Sequence, residues 1–329
     1  MRKFVAEFPL QVEEALAIAK TAELKSSDRE IQNLIITGLG GSGIGGTIIS
    51  QLAQDQLEVP VYVNKDYHLP HFCSDKSLVI ACSYSGNTEE TLSALGEAEE
   101  AGAQIACVTS GGKLYERAMS SGINCIKIPG DYPPRAAFGF SFVQLLRLLA
   151  HYGLTDSSYL TQMESVPSLL RDREEQIQES AEEITNLFHG RIPILYVSAE
   201  KEGVAIRFRQ QINENSKMLC WHHVYPEMTH NELVGWTIKN DNLAVLFMRS
   251  EDDHIRTQKR MDVTKEVYSK YTPNIAELHA IGDNPIERSL YTIHLGDWIS
   301  VLLAEKRGID PVEVDVITHL KGELAKFKS

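Results

Sequence analysis

The chain has 329 residues, 43% of them hydrophobic and 23% charged, and a formal net charge of −13. That balance supplies apolar material for two cores of ordinary size and excludes a general affinity for nucleic acid, which needs clustered Lys and Arg to displace counterions. No run approaches the roughly 20 apolar residues that cross a bilayer, so the chain reads as soluble with no membrane partner, and an anionic ligand must be held by locally aimed amides, hydroxyls and a few cations.

The first segment, MRKFVAEFPLQVEEALAIAK, places acidic residues among its apolar ones, which predicts an amphipathic helix and no secretory leader. Five scattered cysteines (Cys73, Cys82, Cys107, Cys125 and Cys220) form no CxxC pair. They point to a reducing cytoplasm and no structural zinc.

Short β-rich runs then alternate with amphipathic segments: NLIITG and TIISQLA, PVYVN, SLVIACS and TEETLSALGEAEEAG, QIACVTSG, and INCIKIP followed by AAFGFSFVQLLRLLAHYG. The alternation predicts a parallel sheet with helices on both faces and the ligand crevice at the carboxyl ends of its strands. A polar stretch at 154 to 168 interrupts it and precedes a long charged helix over roughly 168 to 188. The expected domains are therefore 1–153 and 154–329. Beyond the junction the pattern restarts with PILYVSA, VAIRFRQQINENSKML, LAVLFMRS and IAELHAIG, and ends in a long apolar helix through SLYTIHLGDWISVLLAEKRG. The first copy runs from SLVIACS into the hydroxyl-rich SGNTEET, whereas the second runs from LAVLFMRS into EDDH, whose carboxylates would repel a phosphate.

Two loops in the first half suit a phosphate. The run from Gly38 to Gly46 follows a strand, opens a helix and satisfies GxGxxG. Alone it is equally a tight packing turn, or a nicotinamide site with Asp66 as the ribose partner. The run Ser83-Tyr84-Ser85-Gly86-Asn87-Thr88-Glu89-Glu90-Thr91 sets several hydroxyls at a helix N-terminus, where free amides and the macrodipole attract a dianion. Asn87 and Glu90 resemble a capping box, but capping needs one such residue, not four.

Three further segments carry candidate chemistry. Arg135, after Pro133 and Pro134, falls at the start of an apolar helix. Helix starts favour anions, so a cation there makes sense facing an anionic substrate. In RQQINENSK, a stripe of Val204, Phe208, Ile212 and Leu219 leaves Glu214 about 120° away, flanking the core; a solvated Glu214 paired with Lys217 is the plain alternative. In PEMTHNELVGW, Thr229 and Glu232 read as a capping box that puts His230 on the first turn of a short helix. The dipole there would keep the imidazole neutral and able to exchange a proton. His222 and His223 lack the spaced carboxylate or cysteine partners of a metal site.

The motif SxSGNTxET, preceded by GLGGSG, resembles the phosphosugar-binding signature of sugar-isomerase (SIS) domains. Together GLGGSG, SYSGNTEET, TSGGKL, PPRAAFG, NENSK and PEMTHNELVGW occur in the order of the bifunctional phosphoglucose/phosphomannose isomerases, over nearly the whole chain. The resemblance implies two SIS domains, each a parallel β-sheet flanked by helices in a flavodoxin-like α-β-α sandwich. It implies an aldose-ketose isomerase that interconverts fructose 6-phosphate with glucose 6-phosphate and mannose 6-phosphate through a cis-enediolate, without cofactor or metal. It further implies Gly41, Ser42, Ser83, Ser85 and Thr88 as the phosphate site, Glu214 as the base between C1 and C2, and Arg135 as the enediolate's counter-charge. His230 and Lys321, the latter in ITHLKGELAK, would serve ring opening. A homodimer with shared active sites is expected on the same ground. The cradle alone leaves open another SIS activity, mannose-specific or acting on an amino sugar, or a non-catalytic phosphosugar-binding protein.

Overall fold

The computed structural model describes residues 1–327. Helices α1 (Arg2–Ala6) and α2 (Phe8–Thr21) precede β1 (Asn33–Thr37), α3 (Gly40–Leu52), β2 (Val61–Asn64), β3 (Ser77–Cys82), α4 (Glu89–Glu100), β4 (Gln104–Thr109), α5 (Gly112–Ser121), β5 (Asn124–Lys127) and α6 (Phe138–His151). Helices α7 (Ser158–Asp172) and α8 (Glu174–Phe188) lead to β6 (Ile192–Ser198), α9 (Glu202–Ser216), β7 (Trp221–Tyr225), β8 (Leu243–Arg249), α10 (Ile255–Tyr268), β9 (Ile275–His279), α11 (Pro285–Lys306) and α12 (Asp315–Leu324).

The β-branched runs form two parallel sheets, ordered β2-β1-β3-β4-β5 and β7-β6-β8-β9. Central strands are buried on both faces, and β3 is buried at every position, as expected where helices cover both sides. In each sheet the order reverses between the first strand and its neighbour, β1 beside β3 and β6 beside β8. Such a switch point opens a crevice beyond the strands' carboxyl ends.

The two expected cores are in fact largely one. A single apolar cluster runs from Ile36 and Ile80 through Phe142 to Leu195, Leu246 and Leu295. The helices between the sheets belong to both: α3 packs on α9, and α7 packs on α2 and on α11. Helix α11 is buried nearly all round. A separate cluster of Ile194, Tyr196, Phe247 and Tyr268 lies on the far face of the second sheet.

Two boundaries differ from the sequence pattern. The polar stretch at 154 to 168 is mostly helix, because Tyr159, Met163, Val166 and Leu170 recur at helical spacing and are all buried in α7. The charged helix is therefore two helices that meet at Arg173. The first amphipathic helix is also split, at Glu7, just ahead of Pro9.

Candidate active site

The crevice of the first sheet is built from two helix starts. Thr88 is the N-cap of α4 and Leu39 that of α3, and neither makes a side-chain cap bond. The first-turn amides are thus left for a ligand. Asn87, expected to cap, instead accepts the Lys113 N–H at 3.2 Å and donates to the Ser85 carbonyl at 3.1 Å, tying the loop after β3 to the one after β4. Gly86 has φ +67°, and a Cβ there would meet the Gly111 carbonyl at 1.8 Å. Only glycine fits.

Hydroxyls line the two loops. Ser83 Oγ and Thr88 Oγ1 lie 2.8 Å apart, and the Ser42 hydroxyl accepts the Tyr84 N–H at 3.0 Å, which leaves its own hydrogen to donate. Ser85 is exposed at the rim, where its Oγ accepts the Asn87 N–H at 3.2 Å. At Gly41 a Cβ would lie 3.2 Å from the Arg135 Cα, so the glycine-rich turn presses directly on the segment that carries Arg135. Below the loop, burial pushes the Cys82 thiol up to about 12, which excludes a thiolate at neutral pH.

Arg135 lies in a short 3-10 turn (Pro134–Ala136) ahead of α6, not in the helix start itself, and is 6% exposed. Its Nε donates to Asn215 Oδ1 at 2.7 Å, and Nη2 donates to the carbonyls of Pro311 at 2.5 Å and Val312 at 3.1 Å. Nη1 faces Glu214 Oε2 at 3.4 Å. Burial lowers the guanidinium's pKa, while Glu214 and Asp310 pull the other way; an arginine remains a cation throughout.

Glu214 stands near the end of α9, its side chain 30% exposed and therefore reachable. The core stripe holds for Val204, Phe208 and Ile212 but not for Leu219, which lies beyond the helix and is 82% exposed. Lys217, in the left-handed region at φ 53°, ends the helix first. The expected Glu214–Lys217 side-chain pair is replaced by a cap: Lys217 Nζ donates to the Glu214 carbonyl at 2.6 Å and to that of Glu313 at 2.7 Å.

His230 and Lys321 are not brought to this cluster. His230 is exposed, the last residue of one 3-10 turn (Glu227–His230), so the helix-start reason offered for its proton affinity has no structure to rest on. No Thr229–Glu232 box forms: the Thr229 hydroxyl donates to the Pro226 carbonyl, Asn231 Oδ1 accepts the Glu232 N–H, and the Glu232 carboxylate is bonded by the Tyr196 hydroxyl. Lys321 sits on α12, which has no buried residue and exposes Val316, Leu320 and Leu324. Asn215, fully buried, is the site residue that sequence reading passed over as a poor helix former. Among the described residues, no group of three His, Cys, Asp or Glu side chains is placed to hold a metal, and no helix is long and apolar enough to cross a membrane.

The C-terminal domain of glucosamine-fructose-6-phosphate aminotransferase from Francisella tularensis shares this architecture, with a TM-score of 0.75 at 17% identity over 94% of this chain and 97% of that one. A model of the bacterial phospho-glucose isomerase C-terminal SIS domain matches residues 177–324. Two SIS domains, each with a parallel sheet flanked by helices, therefore define the class. The chain is 38% identical to the bifunctional phosphoglucose/phosphomannose isomerase of Caldicellulosiruptor bescii over the full length of both, and 38% identical to that of Aquifex aeolicus over 90% of this chain and 91% of that one. It belongs to the bifunctional phosphoglucose/phosphomannose isomerase family.

Proposed function

We propose that the interdomain crevice interconverts fructose 6-phosphate with glucose 6-phosphate and mannose 6-phosphate, with Glu214 as the proton-transfer base and Arg135 as counter-charge to a cis-enediolate. The observation that carries this reading is the approach of Glu214 Oε2 to Arg135 Nη1 at 3.4 Å, from opposite domains. A charge-assisted hydrogen bond would be about 2.7–2.9 Å. At the longer separation the carboxylate keeps its lone pairs for a C–H proton, and the guanidinium keeps donors for the oxygens that gain charge.

The hydroxyls of Ser42, Ser83, Ser85 and Thr88, with the amides at Gly41 and the start of α4, would hold the phosphate. This fixes one end of the open-chain sugar so that C1 and C2 meet Glu214. The base takes the proton from one carbon and returns it to its neighbour. Rotation about C2–C3 exposes either face of the planar enediolate, which lets one base serve both aldoses. In a coupled assay on the three sugar phosphates, Glu214→Gln should lower kcat by about a thousandfold with little change in KM. Unchanged turnover would remove Glu214 from the reaction.

Ring opening needs a proton donor and acceptor that this cluster lacks, and His230 and Lys321 stand exposed with the apolar face of α12 unpartnered. A homodimer in a cytoplasmic enzyme, with His230 of one copy serving Glu214 of the other, accounts for all three. Co-expressed His230→Ala and Glu214→Gln subunits, each inactive alone, should then recover about a quarter of wild-type activity, since half the dimers regain one intact site. A monomer in sedimentation, or no recovery on mixing, would refute shared sites.

A further inference from the structure

Arg135 can stabilise an enediolate only if its guanidinium points at the reacting carbons and does not collapse onto Glu214. Two of its three nitrogens are committed elsewhere. Nη2 is spent on the Pro311 and Val312 carbonyls, and Nε on Asn215 Oδ1. The Asn215 bond is the one made by a side chain of the same helix as the base, at the adjacent residue.

The direction of that bond is fixed by what lies behind it. Asn215 Nδ2 donates to Ser300 Oγ at 2.9 Å, and Ser300 Oγ donates to the Asp297 carbonyl at 2.7 Å. The serine's hydrogen is spent, so it can only accept from the amide, and the amide must turn its oxygen to Arg135. Asn215 and Ser300 are both fully buried, out of reach of bulk solvent. From the other side, Arg207 Nη2 reaches the Arg135 carbonyl at 3.3 Å while it pairs with Asp297 Oδ2 at 2.6 Å. The polar chain thus begins and ends on Asp297 of α11.

We propose that Asn215 is a positioning residue for the isomerisation: through its bond to Nε it holds the Arg135 guanidinium off Glu214 and aimed at the substrate oxygens. The inference rests on the roles given above to Glu214 and Arg135. Without Asn215, Nε loses its acceptor and the guanidinium is free to close on Glu214, 3.4 Å away.

The test compares Asn215→Ala, Arg135→Lys and the double variant, because lysine has no Nε–H for Asn215 to hold. Asn215→Ala should lower kcat by about 10- to 100-fold with KM within about threefold, and should cost less than about threefold more in the Arg135→Lys background. A purely structural asparagine would lower the melting temperature and act equally in both backgrounds. Turnover within twofold of wild type, a loss confined to KM, or the full drop recurring beside Arg135→Lys would each overturn the proposal. Should Asn215→Ala not fold, Ser300→Ala loosens the same link from behind: a kcat about 3- to 10-fold lower supports the inference, and wild-type kcat overturns it. If Glu214→Gln keeps its turnover, the reading of the site fails instead, independently of these variants.

Discussion

The two crevices share a strand order and treat their helix starts in opposite ways. After β3, α4 begins at Thr88 with no side-chain cap; after β8, His254 Nδ1 accepts the Arg256 N–H at 3.1 Å. α3 likewise begins with no side-chain cap, whereas at α9 the Gly203 N–H donates to Gln51 Oε1 of the first half at 2.7 Å. The loop after β3 carries hydroxyls. The loop after β8 carries Asp253, which accepts the Ser250 N–H at 2.8 Å and Lys201 Nζ at 2.9 Å, and Asp252, which pairs with Lys201 at 3.0 Å and Arg288 at 3.1 Å. In the second crevice the chain's own carboxylates sit on the amide and the cations that an anionic ligand would need. The EDDH run therefore does not repel an anion so much as replace one. One half fills its own donors with carboxylates, and the other leaves the hydroxyls and amides of the proposed phosphate site without such partners.

The largest effect that would break this contrast is on stability. Lys201→Met strips the cation from Asp252 and Asp253, and since Asp253 is 1% exposed its charge is not rehydrated in place. The expected cost is about 2 kcal/mol near pH 7, read as a lower urea midpoint at constant slope. The pH dependence has a definite sign. Burial raises the Asp252 carboxyl, but Ser250, Lys201 and Arg288 together bring it down to about 2. A depressed carboxyl stabilises the fold above its unfolded value of about 3.9 and loses that contribution as pH falls through its folded one. The gap between wild type and variant should thus shrink between about pH 4 and pH 2. Turnover of the folded variant should stay within about twofold, because the pairs lie outside the reacting crevice. A variant as stable as wild type would show that the second crevice is not self-filled.

What was legible in the sequence follows the distance over which each feature is assembled. The proposed phosphate site lies mostly within one short run from Ser83 to Thr88, whose residue types suggest an anion. Arg135 and Glu214 were readable as an anomaly, a cation ahead of an apolar helix and a glutamate flanking a core stripe, but their meeting is a tertiary fact. Asn215 was not readable: its partners lie 80 and 85 residues away, and on the page it is a weak helix former beside Glu214. The Thr229–Glu232 box failed because Asn231, directly before the glutamate, caps the second turn while Tyr196 takes the glutamate. Leu219 was misplaced because periodicity cannot foresee that Lys217 turns left-handed and ends the helix. The stretch at 154 to 168 read as a polar domain junction because its buried stripe is spaced among Ser, Thr and Gln.

The smallest effect sharpens the contrast at its other end. Ser83 Oγ and Thr88 Oγ1 share one hydrogen bond, so one of the two hydrogens is free for an anion and the other reaches it only if the pair parts. Ser83→Ala and Thr88→Val should each raise KM for fructose 6-phosphate by about tenfold, close to 1.4 kcal/mol, and leave kcat within about threefold, since the lost bond is made to substrate and transition state alike. The double variant should cost more than the sum, because in each single variant the surviving hydroxyl, freed from its internal partner, makes good part of the loss. If the pair served only to brace the loop, the melting temperature would fall and KM would not move. The first crevice would then be as closed to a ligand as the second.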